Sequence, residues 1–254
     1  TFLDSFGLRG NLNTNFNKVN FNSDFSLNSL DSEKFKKSFR TNSEISKILY
    51  SQNKINSKKE TKISLFGNYR DKVWNGSLGE KEIISAYGVK IIKSNNWTKN
   101  NVSKSSTIAA SYGDYKSSDR VDSLKMLSRE RLNIFLNRTH SYALWKPQKN
   151  TFISTENRYS PTEIPSGLNI NAQAKIDLYR YSDNNYQDLF IFRAGPELIL
   201  GNFKNNLLDY TKISVYKKTT LANGESPFGF DQSADNNTVE FNFKQQIIGP
   251  LTID

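Results

Sequence analysis

Residues 168–181 read LNINAQAKIDLYRY, and their spacing decides the fold. Ile170, Ala172, Ala174, Ile176 and Leu178 fall on one face of an extended chain; Asn171, Gln173, Lys175 and Asp177 fall on the other. Unbroken alternation at a period of two describes a strand with one apolar and one polar face. Tyr179 and Tyr181, at the end of the run, are candidates for an interfacial aromatic girdle. Ser182-Asp183-Asn184-Asn185 follows, a run that tolerates turn geometry. The pattern resumes over 189–200, so the two segments predict a hairpin.

The end of the chain repeats this signal. Val239, Phe241, Phe243, Ile247, Leu251 and Ile253 share a face with Gly249, opposite Glu240, Asn242, Lys244 and Gln246, which predicts a strand over 238–253. Two strand-like runs contain Gly-Pro: LFIFRAGPELILG with Gly195-Pro196, and QQIIGPLTI with Gly249-Pro250. Proline lacks the N–H that a ladder needs, so each site marks an irregular point. It is either a bend in a curved sheet or a seam where strand pairing is weakened.

Further strands are expected over 62–70, 81–93, 106–115, 131–145 and 209–219. Segment 11–28 interleaves asparagine with Leu, Phe and Val, suggesting short hairpins with little regular register. Two segments carry helical spacing, 30–40 (Phe35 and Phe39) and 117–132 (Leu124, Leu127 and Arg131), each read as a loop or short helix on a β scaffold. Loops are expected at 160–165 and 221–237. Several runs exceed the mean soluble strand of about 5–6 residues and reach the roughly 9–11 that span a bilayer. Length therefore favours a barrel over a sandwich. The expected fold is all-β, an antiparallel outer-membrane-type β-barrel with hairpin connections, in one domain over 1–254. The chain starts Thr-Phe-Leu and stops in a strand-like run, so it reads as a fragment of a longer protein and the barrel as partial.

Composition agrees. Only 36% of the residues are hydrophobic while 13% are aromatic, and mean hydropathy is −0.65. Disordered chains are depleted in aromatics, whereas a barrel with one polar face combines low hydropathy with many of them. The sequence has no cysteine, which excludes disulfides and thiol chemistry. No apolar run is long enough for a transmembrane helix. The net charge of +10 points to a solvated basic surface or to an anionic partner such as a phospholipid headgroup or a lipid glycan. No nucleic-acid-binding motif accompanies it, so no nucleic-acid partner is expected.

Catalysis is not expected. His140 is the only histidine, and its neighbour Ser141 points to the opposite strand face, so the two cannot act as base and nucleophile. A single histidine makes no His-based metal site. Asp231 and Asp235, with Asn236 and Asn237, lack the spacing and closing Glu of a calcium loop and read as a solvated loop. No cofactor or metal is expected.

Five motifs occur in order: RYSPTEIPSGL (158–168), LYRYSDNNYQDL (178–189), AGPELILGNFKNNLLDYT (194–211), GESPFGFDQSADNN (224–237) and QQIIGPL (245–251). Together they resemble the cyanobacterial domain-of-unknown-function family DUF3769, itself similar to the lipopolysaccharide-assembly outer-membrane protein LptD. The resemblance implies a large barrel in the cell outer membrane that delivers lipopolysaccharide or a related lipid glycan to the outer leaflet. It also implies lateral opening between strands and a plug lipoprotein in the lumen. Under that reading Gly195, Pro196, Gly249 and Pro250 mark a seam, and the basic residues Lys175, Lys212 and Lys244 line the lumen. The alternatives are a porin-like passive channel and a non-transporting β-structural surface protein.

Overall fold

The computed structural model describes residues 5–17, 19–30, 38–70, 83–122, 125–147, 151–154, 162–201, 208–247 and 252–253. The strands are β1 (Ser5–Phe16), β2 (Val19–Leu30), β3 (Ser38–Lys54), β4 (Ser57–Arg70), β5 (Ile83–Lys99), β6 (Val102–Ser118) and β7 (Met126–Trp145). They continue as β8 (Thr151–Ser154), β9 (Thr162–Pro165), β10 (Gly167–Tyr181), β11 (Tyr186–Gly201), β12 (Leu208–Glu225), β13 (Asn236–Ile247) and β14 (Thr252–Ile253). A single 12-stranded antiparallel sheet runs β1 to β7 and then β10 to β14, each strand beside its neighbour in sequence once the β8–β9 hairpin is set aside. Among the described residues β1 and β14 are free edges of an open sheet, which is not closed into a barrel, and no helix occurs.

The hairpins follow from local chemistry. Asn17, Asn100 and Asn184 sit at φ of 48°, 54° and 64°, between β1 and β2, β5 and β6, and β10 and β11. Asparagine tolerates this left-handed geometry better than most residues, and so reverses the chain tightly. Length is the other feature: β7 has 20 residues and β12 has 18, well beyond the typical soluble strand.

One sheet face is concave. Rings of Phe66 on β4 and Tyr115 on β6 lie 6.2 Å apart, centroid to centroid, across β5. Asn171 on β10 likewise reaches the Tyr216 hydroxyl on β12 at 3.0 Å. Such contacts skip a strand, as an inward-curving surface favours. Gly88 and Gly113 are register partners at this bend, and a Cβ on either would strike the backbone of the facing strand.

The polarity of the two faces is inverted relative to a soluble sheet. Ser46, Ser64, Asp177, Gln187, Ser214, Thr220 and Gln246 are buried on the concave side. Ile45, Leu65, Val89, Tyr112 and Leu132 form an exposed row across β3 to β7 on the convex side. Ile134, Phe190, Phe192, Val239, Phe241 and Phe243 extend the exposed apolar surface. Within β10 the predicted split holds, with Ile170 and Ala174 exposed outside and Asp177 buried inside.

Several expectations need correction. Tyr179 and Tyr181 share the concave phase of Asp177, and Tyr181 is buried, so neither belongs to an outer girdle. The described residues of segment 117–132 are not helical: Ser117 and Ser118 end β6, and Met126 to Leu132 open β7, because pairing along β6 outweighs local spacing. Segment 11–28 forms one regular hairpin, in register from Ser5↔Leu30 to Phe16↔Val19. Thr162–Pro165 is a short strand rather than a loop. Segment 238–253 is not one strand, since β14 pairs back on β13 with Gln245 opposite Ile253. Residues 31–37 of the helix-like segment 30–40 lie outside the described residues, and its flanks belong to β2 and β3.

Candidate functional site

The concave face carries an ordered set of ion pairs, each joining residues that alternation alone turns inward. Lys62 Nζ lies 2.6 Å from Glu44 Oε1, Lys175 Nζ 2.8 Å from Asp177 Oδ2, and Lys212 Nζ 2.9 Å from Glu197 Oε2. Arg193 Nε donates to Glu240 Oε2 at 2.7 Å, and Lys218 approaches the other oxygen of Glu240 at 3.4 Å. The expected lumen-lining Lys175 and Lys212 are therefore inward but neutralised. Lys244 stands opposite Lys212 in register, with Nζ 5.5 Å from the Tyr210 ring centroid. Lys175 does not join them. Its partner on β11 is Ile191 and that of Lys212 is Ile199. At roughly 3.4 Å per residue that places Lys175 about 27 Å along the strand from Lys212.

Between β3 and β7 the face hollows into a groove of about 430 Å³. Asn42, Asn68, Thr107 and Asn133 bring amides and hydroxyls, and Phe66 and Phe135 bring aromatic faces. Asn68 Oδ1 and Arg131 Nε at its wall are buried with no hydrogen-bond partner. Buried polar atoms are nearly always satisfied, so these two stand out as exceptions beside the groove.

One end of the concavity is filled by residues 226–235, which join β12 to β13. Strand β12 runs to Glu225, so the segment is shorter than the predicted loop, and it folds inward instead of out into solvent. Phe228 is fully buried, packed edge-on against Tyr181 with centroids 5.9 Å apart and stacked on Phe230 at 5.1 Å. Leu127, Tyr115 and Ala86 complete this cluster. Burying a phenylalanine side chain contributes about 1.5–3 kcal/mol. The backbone is tied as well: Phe228 bridges to Asp119, the Arg120 amide donates to the Pro227 carbonyl at 3.0 Å, and Gln187 Nε2 donates to the Ser233 carbonyl at 3.0 Å.

Asp231 is the polar anchor of the segment. Arg131 Nη1 lies 2.6 and 2.7 Å from its two carboxylate oxygens, and the Tyr181 hydroxyl donates to it at 2.8 Å. The arginine and aspartate side chains are 10% and 7% exposed, so the pair is desolvated. Burial pushes the Asp231 carboxyl above its ordinary range, against the downward pull of Arg131 and Tyr181. The guanidinium carbon also lies 3.8 Å from the Tyr115 ring centroid. The expectation of a solvated loop fails for Asp231. Asp235 is exposed and accepts from the Ala222 amide at 2.6 Å, while Asn236 and Asn237 already belong to β13. Sequence reasoning missed Arg131 and Asp231 as a pair. The available signal was the apolar Phe228 and Phe230 inside an otherwise polar loop.

Gly195 and Pro196 interrupt the β11–β12 ladder between Ala194↔Lys217 and Glu197↔Ser214, yet register is unchanged across the gap. A Cβ on Gly195 would collide with the Val215 carbonyl oxygen, so the two backbones run close here. Pairing of Gly195 and Pro196 with β10 is continuous. Gly249 and Pro250 lie outside the described residues. His140 and Ser141 occupy opposite faces, His140 on the convex side with Arg138 Nε 2.9 Å from its Nε2. Among the described residues no cluster of His, Cys, Asp and Glu is arranged to hold a metal.

No curated protein and no solved structure matches the chain. A family model does match, over residues 1–254, and the chain belongs to that family, described as "Protein of unknown function (DUF3769)".

Proposed function

We propose that this chain forms part of the wall of an outer-membrane β-barrel whose polar concave face conducts a lipid glycan toward the outer leaflet, in the manner of the lipopolysaccharide-assembly barrel its motifs resemble. The observation that carries the membrane part is the inversion of the faces. A soluble sheet that buried Asp177 and Gln187 while exposing Leu65, Ile134, Phe192 and Phe241 would set its apolar surface against water. A broad apolar surface is stable against lipid and otherwise marks a protein interface or an aggregation site.

The groove supports the choice of cargo. Sugar rings present apolar faces edged with hydroxyls, and Phe66 and Phe135 beside Asn42, Asn68, Thr107 and Asn133 complement both. Ion pairs on the same face keep it polar and offset part of its positive charge, with Arg193 and Lys218 sharing Glu240.

A photo-reactive residue at Asn133 or Gln173 should cross-link lipopolysaccharide in the producing cells, whereas one at Ile134 should cross-link phospholipid. Absence of glycan adducts at both inward sites, with phospholipid adducts retained outside, would remove the cargo and leave the membrane wall. Pro196→Val tests the seam separately: unchanged surface lipopolysaccharide with a more stable sheet would make Gly195-Pro196 a bend.

A second reading is favoured by one observation, the inward fold of 226–235 with its Arg131–Asp231 pair. An infolded charged segment narrows a pore, as a passive channel requires. In that case Asp231→Ala raises ion conductance in planar bilayers, and glycan export is untouched.

A further inference from the structure

Cations on both sheet faces meet carboxylates, Arg180 with Asp188 on the convex side among them, but one convex cluster does not. On the concave face Lys62, Arg131, Lys175, Arg193, Lys212 and Lys218 each meet a carboxylate. On the convex face Lys104 of β6 stands directly opposite His140 of β7, and Arg138 Nε donates to His140 Nε2 at 2.9 Å. Among the described residues no carboxylate pairs with Lys104, Arg138 or His140. With His140 Nε2 accepting from Arg138 the imidazole is neutral, so the two charges of the cluster are Lys104 and Arg138, diagonal neighbours across the β6–β7 ladder with no counter-charge between them.

The surroundings say what kind of anion. Further along the same two strands the convex face turns apolar, with Ile108 and Ile134 exposed, so the cluster sits at the border of the apolar belt. Lys104 Nζ lies 5.3 Å from the ring centroid of Trp97, its partner on β5, and exposed Tyr142 follows His140 on the outer face. Aromatic residues mixed with basic ones at the edge of an apolar belt are the pattern of a membrane–water interface. Convex carboxylates lie at the opposite strand ends, where Asp114 accepts from Ser128 and Glu130 from Tyr112.

We infer that Lys104, Arg138 and His140 form a site for the phosphate of a membrane-lipid headgroup, with the acyl chains lying along Ile108, Leu136 and Ile176. The inference rests on the membrane reading proposed above. The guanidinium fork and the ammonium supply charge-assisted donors suited to phosphate oxygens. His140 Nε2 is occupied by Arg138, so its contribution is to hold the guanidinium outward.

The test compares flotation of the chain with phosphatidylcholine vesicles and with the same vesicles containing phosphatidylglycerol. A basic residue at an anionic surface contributes about fivefold in partitioning, so Lys104→Gln/Arg138→Gln is expected to lose about 25-fold of the preference for phosphatidylglycerol. Lys54→Gln/Lys99→Gln removes the same charge from exposed positions at the same strand ends and should lose much less. Equal loss in both double variants would reduce the effect to overall charge and overturn the site. So would a wild-type chain with no preference, or a preference abolished by inorganic phosphate alone, which would make the site one for free anions. Failure to float with phosphatidylcholine at all would instead refute the membrane reading.

Discussion

Replacing Asp231 with alanine should release the 226–235 segment from the concave face. The substitution removes both contacts to Arg131 Nη1 and the hydrogen bond from Tyr181, and leaves the guanidinium among Tyr115, Tyr179 and Phe230 with no counter-charge. Stripping one partner from a buried pair costs about 3–5 kcal/mol. Undocking the segment lets water reach Arg131, which caps the loss near the lower figure. About 3 kcal/mol corresponds to roughly a 140-fold rise in the open population. The assay is hydrogen–deuterium exchange in detergent micelles, read at Phe228, whose amide donates to Ser226 Oγ, and at Ser226, whose amide donates to Gln232 Oε1. Both should exchange about 100-fold faster, with amides at the middle of β7 and β10 unchanged. The double variant Arg131→Met/Asp231→Leu should restore most of the protection, since an apolar pair of similar volume removes the stranded charge. Exchange within threefold of wild type in Asp231→Ala would refute the claim that this pair anchors the segment.

Other outcomes follow from the same geometry. Ala174→Arg places a charge on the convex face and should cost about 2–4 kcal/mol in vesicles, by urea titration, while Gln173→Arg on the concave face should cost far less. Lys175→Ala should not be mild, because Asp177 is buried and loses its partner at 2.8 Å; a loss of about 1–3 kcal/mol is expected in the same titration. Gly88→Val drives a Cβ into the Tyr112 carbonyl oxygen and should cost at least about 1–3 kcal/mol or prevent folding, seen as lost β circular dichroism.

Strand identity was legible because alternation is a local property: the faces of 168–181 and 239–244 could be read residue by residue. Which face points inward is not local. In a soluble sheet the apolar face of β10 would be buried, and only low hydropathy combined with long strands argued for the reverse. Parity was nevertheless enough to assign Tyr179 and Tyr181 inward, since they share the phase of Asp177. Segment 117–132 misled because Leu124, Leu127 and Arg131 carry a helical beat, whereas continuous pairing of Ser118↔Met126 through Val102↔Tyr142 determines the outcome. The Arg131–Asp231 pair was illegible for a different reason. Its members are a hundred residues apart, and only the curvature of the sheet brings β7 and the β12–β13 connection together.

The central claim is that the convex face meets lipid and the concave face meets water. Because the sequence contains no cysteine, single cysteines can be introduced and spin-labelled one at a time. Labels at 132–137 on β7 and at 173–178 on β10 in vesicles would be read for collision with oxygen, which concentrates in lipid, and with a water-soluble nickel complex. Oxygen accessibility should peak at 132, 134, 136, 174, 176 and 178, with nickel accessibility peaking at the residues between. Nickel accessibility at the outward positions equal to or above that of the inward ones would contradict the account.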